Sequence, residues 1–418
     1  MKMSNMACRT RKSRNTDLTM LPSQATYTQA NQIVRFSPGV YGWNTVLLKA
    51  RHEIERIIRT VLEEYDCCEV ELPILQSRDL WERSGRFNRY IGSGTMFTVN
   101  EGTNTLCLAP TAEEAALHFV EEIVESYKEL PITMFQFGRK FRKEIRCQGG
   151  IMRSQEFLMM DAYSFSSSRG DMILQYQRMR SAFTEIFKHL GLEVIPVKAL
   201  SGDMGGRYSE EFMCLTEHGE DVILYNEELG IAFNKELLKD GNAYQILNEY
   251  GITAPLESFV ERRASELGHI FQLGTTYSES MDITFTDRDG KQRPYHMGCY
   301  GIGVSRVLGC IIENNMDNDG IIWPSLVAPY QFHIVCTESR KELAEKLYRH
   351  LTSMGFKVLF DDREKVSFGA KIKDWRILGA PYCFIIGNKT SEEATAFVLE
   401  NRKTGEQELV QEFRDHAT

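Results

Sequence analysis

Residues 135–165, FQFGRKFRKEIRCQGGIMRSQEFLMMDAYSF, predict two antiparallel strands joined by a basic loop. At the two-residue period of a strand, one face of the first half carries Phe135, Phe137, Phe141 and Ile145. The other face carries Arg142 and Arg146 around Glu144. Aligned like charges are costly unless an anion lies across them, so this face is a candidate anion site. A solvent-exposed hairpin with ordinary surface charge is the alternative at this point.

Composition indicates a large water-soluble protein with reduced thiols. The 418 residues are 42% hydrophobic and 26% charged, which is enough for two or three cores. The chain contains no apolar run near the roughly 20 residues that span a bilayer, so we predict no membrane partner. Ten cysteines without a CxxC pair predict neither a disulfide framework nor a zinc site, and no metal-ligating residues are assigned. We therefore expect a cytoplasmic protein, with an organellar matrix as the alternative.

Three further segments carry patterns of interest. An apolar stripe at helical spacing follows Trp43 and precedes a short strand that ends near Pro73. Thr111 and Glu114 have the spacing of a capping box, which leaves Glu113 unexplained. Residues 298–313 are glycine-rich, but Arg306 stands at the third glycine position of a GxGxxG fingerprint, so a dinucleotide site is excluded.

The C-terminal part predicts a second domain. Pro324 and Pro329 mark the junction, after which short apolar strands alternate with helical stretches in a small α/β domain with a mixed sheet. We divide the chain into residues 1–20, 21–326 and 327–418. The first segment is basic and is expected to be a disordered tail, with an organellar presequence or an RNA-binding arm as alternatives.

Residues 142–163 closely resemble motif 2 of class II aminoacyl-tRNA synthetases, in the form used by bacterial and organellar prolyl-tRNA synthetases. The helix after Trp43 is similar to motif 1, residues 298–313 to motif 3, and residues 361–382 to the anticodon-binding domain of prolyl, threonyl, histidyl and glycyl enzymes. The resemblance implies an α+β catalytic domain, its antiparallel sheet flanked by helices, followed by a small α/β anticodon-binding domain. It also implies a homodimer, ATP and Mg²⁺ as cofactors, and proline and tRNA(Pro) as partners.

The resemblance assigns the nucleotide site residue by residue. Arg142 is expected to hold the α-phosphate of ATP and the amino acid carboxylate, and Arg153 and Arg306 to reach the terminal phosphates. Glu144 is expected on the adenine side, and Phe157 is expected to stack on the base. Joining a carboxylate to a phosphate brings two anions together, so fixed cations supply the catalysis. Arg142 and Arg306 are therefore the expected catalytic residues.

The resemblance also assigns the amino acid and tRNA sites. Thr111 and Glu113 match a Thr-x-Glu whose carboxylate pairs with the proline ring nitrogen, and Cys299 matches a cysteine against the ring. The other residues expected near proline or the adenosine are His269, Gln272 and Thr275. The expected tRNA contacts are Arg363, Lys371 and Lys373, with Phe368 or Trp375 as a stacking surface.

Two departures keep a second hypothesis open. Gln155 replaces an arginine of the family pattern, and Glu210 replaces a histidine. Residues 166–265 are too few for the editing domain of many bacterial enzymes, so we expect the chain not to clear mischarged alanine. A threonyl enzyme is excluded because it needs a Cys/His zinc set that the sequence lacks. The alternative is a synthetase-like paralogue that activates an amino acid for another acceptor or acts as a sensor.

Overall fold

The computed structural model of the chain describes residues 1–6, 20–102, 104–145, 147, 149–199, 202–206, 208–238, 247–249, 251–387 and 396–411. The α-helices with defined bounds are α1 Pro22–Gln29, α2 Thr45–Glu64, α3 Arg78–Arg83, α4 Phe87–Gly92, α5 Glu113–Ile123, α6 Arg169–His189, α7 Thr276–Ser280, α8 Val304–Asn314, α9 Lys341–Ser353 and α10 Phe368–Leu378. Short 3-10 turns include Met3–Asn5, Tyr127–Glu129, Gly150–Met152, Gly202–Met204, Lys235–Leu238, Leu256–Ser258 and Glu338–Arg340. In the part of the chain so described, none of the helices combines the length and the apolar character needed to cross a membrane.

The strands, in chain order, are β1 Ile33–Ser37, β2 Val40–Trp43, β3 Cys68–Glu69, β4 Leu75–Ser77, β5 Phe97–Glu101, β6 Asn104–Leu108, β7 Ile132–Phe141, β8 Glu156–Ser166, β9 Val194–Ala199, β10 Tyr208–Leu215, β11 Asp221–Asn226, β12 Ile231–Asn234, β13 Val260–Gly274, β14 Thr284–Thr286, β15 Gln292–Pro294, β16 His296–Ile302, β17 Met316–Asp317, β18 Gly320–Ile321, β19 Phe332–Cys336, β20 Val358–Asp361, β21 Tyr382–Ile386, β22 Ala396–Asn401 and β23 Gln407–Gln411.

The larger of two compact units comprises Pro38–Val40 and Glu55–Cys310. Its nine-stranded sheet runs in the order β10-β9-β12-β11-β13-β16-β8-β7-β3, and β13 also pairs with β10. The pairs are antiparallel except β12 with β9 and β3 with β7. Strands β7 and β8 pair from Ile132 opposite Phe165 to Phe141 opposite Glu156, which confirms the predicted hairpin. The predicted antiparallel catalytic sheet is therefore confirmed.

A buried cluster fixes the central strands of this sheet against α5 and α7. It contains Met134 of β7, Phe165 of β8, Phe271 of β13 and Met297 of β16, packed with Leu117 of α5. Both faces of β7 are covered, because Phe135 and Gln136 are both buried. The simple two-face prediction is wrong beyond Phe141, where the strand ends and Ile145 is 93% exposed. Gly149 and Gly150 turn the following loop with φ of +64° and +63°, a conformation that favours glycine.

The smaller unit comprises Met1–Ser37, Tyr41–Ile54 and Ile311–Thr418. Its five-stranded sheet has the order β20-β19-β21-β22-β23, parallel at β20-β19-β21 and antiparallel beyond, which confirms the predicted mixed sheet. Its core is formed by residues such as Ile334, Leu347 and Phe384. Ser367 caps α10 by accepting a hydrogen bond from the Ala370 amide, and the helix ends at Gly379 in the left-handed conformation.

The structure divides the chain differently from the predicted domain limits at its N-terminal side. The Met1 ammonium donates to the Val358 carbonyl at 2.7 Å, Met3 is 1% exposed, and the start of α2 joins this unit through a 2.6 Å ion pair between Glu53 and Lys357. Residues 1–6 therefore pack against the smaller unit, whereas the sequence predicted that they belong to a disordered tail. The rest of its basic residues, within 7–19, lie outside the described residues.

Candidate active site

A cavity of about 430 Å³ lies within the larger unit. The loop between β7 and β8, the strands β8, β13 and β16, and the first turns of α5 and α8 supply its walls. The predicted site residues among those that line it are Thr111, Glu113, Arg142, Glu144, Arg153, Phe157, His269, Cys299 and Arg306. The fold therefore brings together residues that are up to 195 positions apart (306 − 111 = 195) in the sequence.

Gln272 and Thr275 are not among the described residues that line this cavity. The residues of β13 that do line it are Glu266, Leu267, Gly268, His269 and Phe271. Thr275 is the residue that precedes α7. The approach of these two side chains to the substrates therefore stays a prediction.

Arg142 lies directly after β7, at the mouth of the hairpin loop. Its Nε donates to the Pro110 carbonyl at 3.1 Å, and its guanidinium carbon is 5.3 Å from the centroid of the Phe157 ring. The backbone is fixed by a 2.9 Å hydrogen bond from the Arg142 amide to the Gln155 carbonyl. The guanidinium is therefore anchored on one edge, beside an aromatic face that can stack on a base.

Two more arginines are held by carboxylates at the same cavity. Arg153 Nε is 2.9 Å from Glu144, and its Nη1 is 3.0 Å from Glu220. Arg306 donates from Nε to the Met152 carbonyl at 3.0 Å and from Nη1 to the Glu266 carbonyl at 2.9 Å. The Glu266 carboxylate is 3.3 Å from that Nη1. These bonds orient the guanidiniums, and an anionic ligand would have to compete with or share the carboxylates.

Glu113 is the first residue of α5 and is fully buried. The Thr111 hydroxyl donates to its carboxylate at 2.7 and 2.8 Å, and Cys299 Sγ donates at 3.1 Å. Burial opposes ionisation, but Arg86 and these donors outweigh it and leave the pKa of Glu113 below its ordinary value. The predicted capping box is wrong, because Ala112 precedes the helix and makes no side-chain cap. The Thr111 hydroxyl donates to the Glu113 carboxylate instead of capping the helix.

The sequence reasoning missed an acidic group next to Arg306. Ligand atoms of Glu211, Glu266 and His269 lie within 4.8 Å of one another. Burial raises the pKa of Glu211, and the neighbouring Glu266 carboxylate adds to the rise. Burial opposes the ionisation of Glu266, but its hydrogen bond with His269 more than compensates and lowers its pKa. Glu211 directly follows Glu210 in the SEEF segment.

A second missed network supports the floor of the cavity. The Tyr163 hydroxyl donates to Asp161 at 2.8 Å and accepts from the Ala112 amide at 3.2 Å. Gln136 also donates to Asp161 at 2.8 Å, and the buried Lys140 ammonium lies 2.8 Å from the same carboxylate. This chain of contacts ties β7 and β8 to the residue before Glu113 and so fixes the start of α5.

The two departures from the family pattern have structural partners. The Gln155 side chain donates to the Glu144 carbonyl at 3.3 Å and thereby holds the hairpin loop. Glu210 is 3% exposed, and its carboxylate meets Lys198 at 2.7 Å and Arg180 at 3.1 Å. Glu210 is therefore a paired carboxylate outside the described lining of the cavity, and not a substrate ligand.

In the smaller unit the predicted tRNA contacts differ in how far their side chains are exposed. Lys371 is 3% exposed and donates to the Asp361 carbonyl at 3.1 Å, so its prediction as a phosphate contact is wrong. Arg363 bonds Asp361 and is 2.7 Å from Asp374, which leaves its charge compensated within the domain. Trp375 is fully buried and cannot stack on a base. Lys373 is exposed, and Phe368 is half-buried.

The cavity offers complementary charges to a zwitterion and a nucleotide. Arg142 and Arg306 present fixed positive charge, which suits phosphates and a carboxylate. The ionised Glu113 suits an ammonium group. Burial and Glu113 raise the pKa of the Cys299 thiol, so the thiol stays protonated and is not a nucleophile. The arrangement fits chemistry that positions reactants and balances charge.

Comparisons with known proteins give the same picture. The family model described as tRNA synthetase class II core domain (G, H, P, S and T) matches residues 97–315, and the one described as anticodon binding domain matches residues 326–412. The chain is 36% identical over 389 residues to the proline–tRNA ligase of Wolbachia sp. subsp. Drosophila simulans (strain wRi), with 90% of each chain covered. It is also 36% identical over 404 residues to that of Ehrlichia ruminantium (strain Gardel), with 94% of this chain and 93% of the relative covered.

Solved structures share the fold. A crystal structure of prolyl-tRNA synthetase from Cryptosporidium parvum complexed with halofuginone and AMPPNP matches with a TM-score of 0.73 and 18% sequence identity, over 93% of this chain and 74% of that one. The same enzyme complexed with L-proline and AMP matches with a TM-score of 0.71 and 18% identity, over the same shares of the two chains.

Proposed function

Because this chain belongs to the proline–tRNA ligase family of class II aminoacyl-tRNA synthetases, we propose that it joins proline to ATP in the cavity between Glu113 and Arg306. The enzyme activates proline with ATP to prolyl-adenylate and transfers the prolyl group to tRNA(Pro). The observation that carries the assignment of the site is the presence of a buried, ionised carboxylate and fixed guanidiniums in one cavity. No observation favours the alternative of a sensor or of a different acceptor.

We assign amino acid recognition to Glu113 and its neighbours. The secondary ammonium of proline pairs with Glu113, while Thr111 and Cys299 hold the carboxylate in place through their hydrogen bonds. Because Glu113 is 0% exposed, its charge is poorly solvated and gains strongly from a cation in the cavity. Proline's carboxylate then extends towards Arg142.

We assign nucleotide binding to the hairpin side of the cavity. Arg142 binds the α-phosphate and the carboxylate of proline, Phe157 stacks on adenine, and Glu144 meets the adenine edge. Arg306 and Arg153 bind the terminal phosphates, the latter by exchanging part of its contact with Glu144 and Glu220 for phosphate oxygens. Arg306 is already oriented by its bonds to the Met152 and Glu266 carbonyls, so it needs little reorganisation when ATP arrives, whereas Arg153 gives up part of its carboxylate contacts.

The reaction needs no protein nucleophile. A carboxylate oxygen of proline attacks the α-phosphorus, the bond to the bridging oxygen breaks, and pyrophosphate leaves with its electron pair. Arg142 offsets the repulsion between the two anions and the charge that builds at phosphorus, and Arg306 stabilises the departing pyrophosphate. A hydroxyl of the terminal ribose of tRNA(Pro) then takes the prolyl group, and AMP leaves.

We also propose Mg²⁺ as a cofactor, held on the protein side by Glu211 and Glu266. The donor set fits, because Mg²⁺ prefers carboxylate oxygens and is commonly bound by one or two carboxylates together with substrate phosphates. Burial raises the pKa of Glu211, the Glu266 charge adds to the rise, and a divalent cation would offset both. When bound, the ion neutralises charge on the phosphates. Glu266 and His269 themselves orient Arg306 and the wall of the cavity.

Recognition of tRNA is assigned to the C-terminal domain, because residues 326–412 match an anticodon-binding model. Lys373 is the predicted contact whose side chain is exposed, and we propose that it meets the phosphate backbone. Arg363 is half-buried, and its bonds to Asp361 and Asp374 keep it in position.

We propose a homodimer in the cytoplasm. Val34 and Phe36 of β1, shortly before the helix that resembles motif 1, are 54% and 77% exposed, and their apolar surface would gain from burial in an interface. Each of the nine described cysteines is a free thiol, which suits a reducing compartment. Light scattering on the wild type and on Phe36→Glu tests the dimer, which should dissociate in the variant.

The experiment that tests the proposed function is amino-acid-dependent exchange of pyrophosphate into ATP. Proline should support exchange, whereas glycine, histidine, serine and threonine, the substrates of the other synthetases that share this core model, should not. Aminoacylation of a tRNA(Pro) transcript then tests the second step. Proline-dependent exchange without charging would contradict the ligase assignment, and no exchange with proline would contradict both steps.

A further inference from the structure

Arg86, which precedes α4, is a buried cation behind the proposed amino acid site. It is 5% exposed, and Nη1 alone donates to two different carboxylates, Glu113 at 3.1 Å and Glu114 at 3.0 Å. Both carboxylates are 0% exposed. Ser84 donates to the same Glu114 oxygen at 2.7 Å. One guanidinium therefore bridges two adjacent buried acids, of which one faces the cavity.

Aromatic rings fix this guanidinium in place. Its central carbon lies 5.3, 4.7 and 5.1 Å from the ring centroids of Trp81, Tyr90 and Tyr277. Nη2 donates to the Tyr90 hydroxyl, and Tyr90 itself lines the cavity. The three rings and the three hydrogen-bond partners, Glu113, Glu114 and Tyr90, restrict the position of the guanidinium. Burying a cation costs free energy of desolvation, which indicates that the position of this charge has a role.

The pKa values of Glu113 and Glu114 are shifted in opposite directions although both contact Arg86. Burial raises the pKa of Glu114, with Arg86 offsetting only part of that and Glu113 adding to it. The pKa of Glu113 is instead lowered, because Arg86 is joined there by Thr111 and Cys299. The other groups that face Glu113 stay neutral in the working range, since burial raises the pKa of each; they are Tyr90, Tyr163, Tyr277 and Cys299.

We propose that Arg86 is a positioning residue that strengthens binding of the proline ammonium, by holding the Glu113 carboxylate charged and aimed into the cavity. This inference rests on the proposed function of Glu113. Arg86 contacts the substrate only through Glu113. Glu114 and Ser84 form the rear support, which keeps the guanidinium from moving towards the bound proline.

Removal of Arg86 has a predictable consequence. Two neighbouring buried carboxylates without their cation repel each other, and protonation is the cheapest relief. A protonated Glu113 no longer attracts the ammonium of proline. Affinity for proline therefore falls, whereas ATP, which contacts the hairpin side, is bound as before. The pH below which proline is used poorly moves upward, because Glu113 then takes up its proton at higher pH.

The test uses Arg86→Met and Arg86→Lys in the full chain, with Arg78→Met as the matched control. Arg78 lies on the preceding helix and forms an exposed ion pair with Glu82. Its substitution by methionine removes the same charge as Arg86→Met, at a residue outside the described lining of the cavity. Pyrophosphate exchange gives KM for proline, KM for ATP and the pH profile of kcat/KM for proline. Thermal melting with and without ATP verifies the fold of each variant.

For Arg86→Met we expect KM for proline to rise about tenfold or more, KM for ATP to change less than about twofold, and the acidic limb to move up by about one pH unit or more. Arg86→Lys keeps a charge but cannot bridge both acids in the same way, so we expect a smaller rise in KM for proline and a smaller pH shift. If Arg86→Met does not fold, the KM for proline and the pH profile of Arg86→Lys test the inference. A folded variant with wild-type KM for proline and an unmoved acidic limb would overturn the inference. Failure of the wild type to exchange with proline would instead overturn the proposed function itself.

Discussion

Replacement of Glu113 by glutamine isolates the charge that we assign to proline recognition. Glutamine has nearly the same size and can still accept the Thr111 hydroxyl, which now lies 2.7 Å from the carboxylate. It cannot form a charge-assisted hydrogen bond with a secondary ammonium. Such a bond contributes about 1.5 to 3 kcal/mol, and each 1.4 kcal/mol is a factor of ten, so KM for proline should rise roughly 10- to 150-fold.

The effect should be confined to proline. ATP is assigned to Arg142, Phe157 and Arg306, so KM for ATP in Glu113→Gln should stay within about twofold of the wild type, because no bond to ATP is lost. Pyrophosphate exchange measured with each substrate varied in turn separates the two constants. Glu122→Gln, an exposed change on the same helix, is the control. An unchanged KM for proline in a folded Glu113→Gln protein would refute the reasoning, and so would an equal rise in both constants.

Three further predictions follow from other residues. Burial lowers the pKa of His333 to about 4, so between pH 6.5 and pH 4 the unfolded chain binds a proton that the folded chain does not, and stability falls as the pH is lowered over that range. Urea unfolding of the full chain, compared between a pH above 6.5 and pH 4.5, should show a loss of free energy of unfolding about 2.5 kcal/mol larger than in His333→Leu, and equal losses would contradict this. Arg153→Met should raise KM for ATP about tenfold while KM for proline stays constant, because one charge-assisted bond to a terminal phosphate is lost; exchange kinetics with no change in KM for ATP would exclude that contact. The purified protein should leave alanyl-tRNA(Pro) intact, since the described part of residues 166–265 consists mainly of α6, the strands β9 to β12, short 3-10 turns and the start of β13, all within the larger unit; its hydrolysis above the spontaneous rate would show an editing activity.

The hairpin and its nearest site residues were accessible from the sequence alone. Alternation and the glycine loop predicted β7 and β8, and the resemblance of residues 142–163 to motif 2 of class II synthetases implied that Arg142, Arg153 and Phe157 share one site; all three line the cavity. Local pattern suffices for the hairpin itself, because the strand period and a short loop dictate which residues pair. The mixed sheet of the C-terminal domain was predicted for the same reason.

Long-range contacts explain what the sequence did not reveal. Arg86 meets Glu113 from 27 positions away, and Cys299 meets it from 186 positions away, so neither pairing leaves a local signal. Lys371 is a different case. The buried positions of α10 include Lys371, Asp374, Trp375 and Leu378, which are spaced as one helix face, and that periodicity marks the lysine as part of the inner face. The positive charge of Lys371 alone had suggested a position on the protein surface.

A crystal structure with a non-hydrolysable prolyl-adenylate analogue, in which a sulfamoyl group replaces the phosphate, tests the central claim most directly. We expect the ring nitrogen within hydrogen-bonding distance of Glu113, the sulfamoyl oxygens at Arg142 and the adenine against Phe157. An analogue bound with its sulfamoyl group remote from Arg142, or with its ring nitrogen turned away from Glu113, would contradict the account.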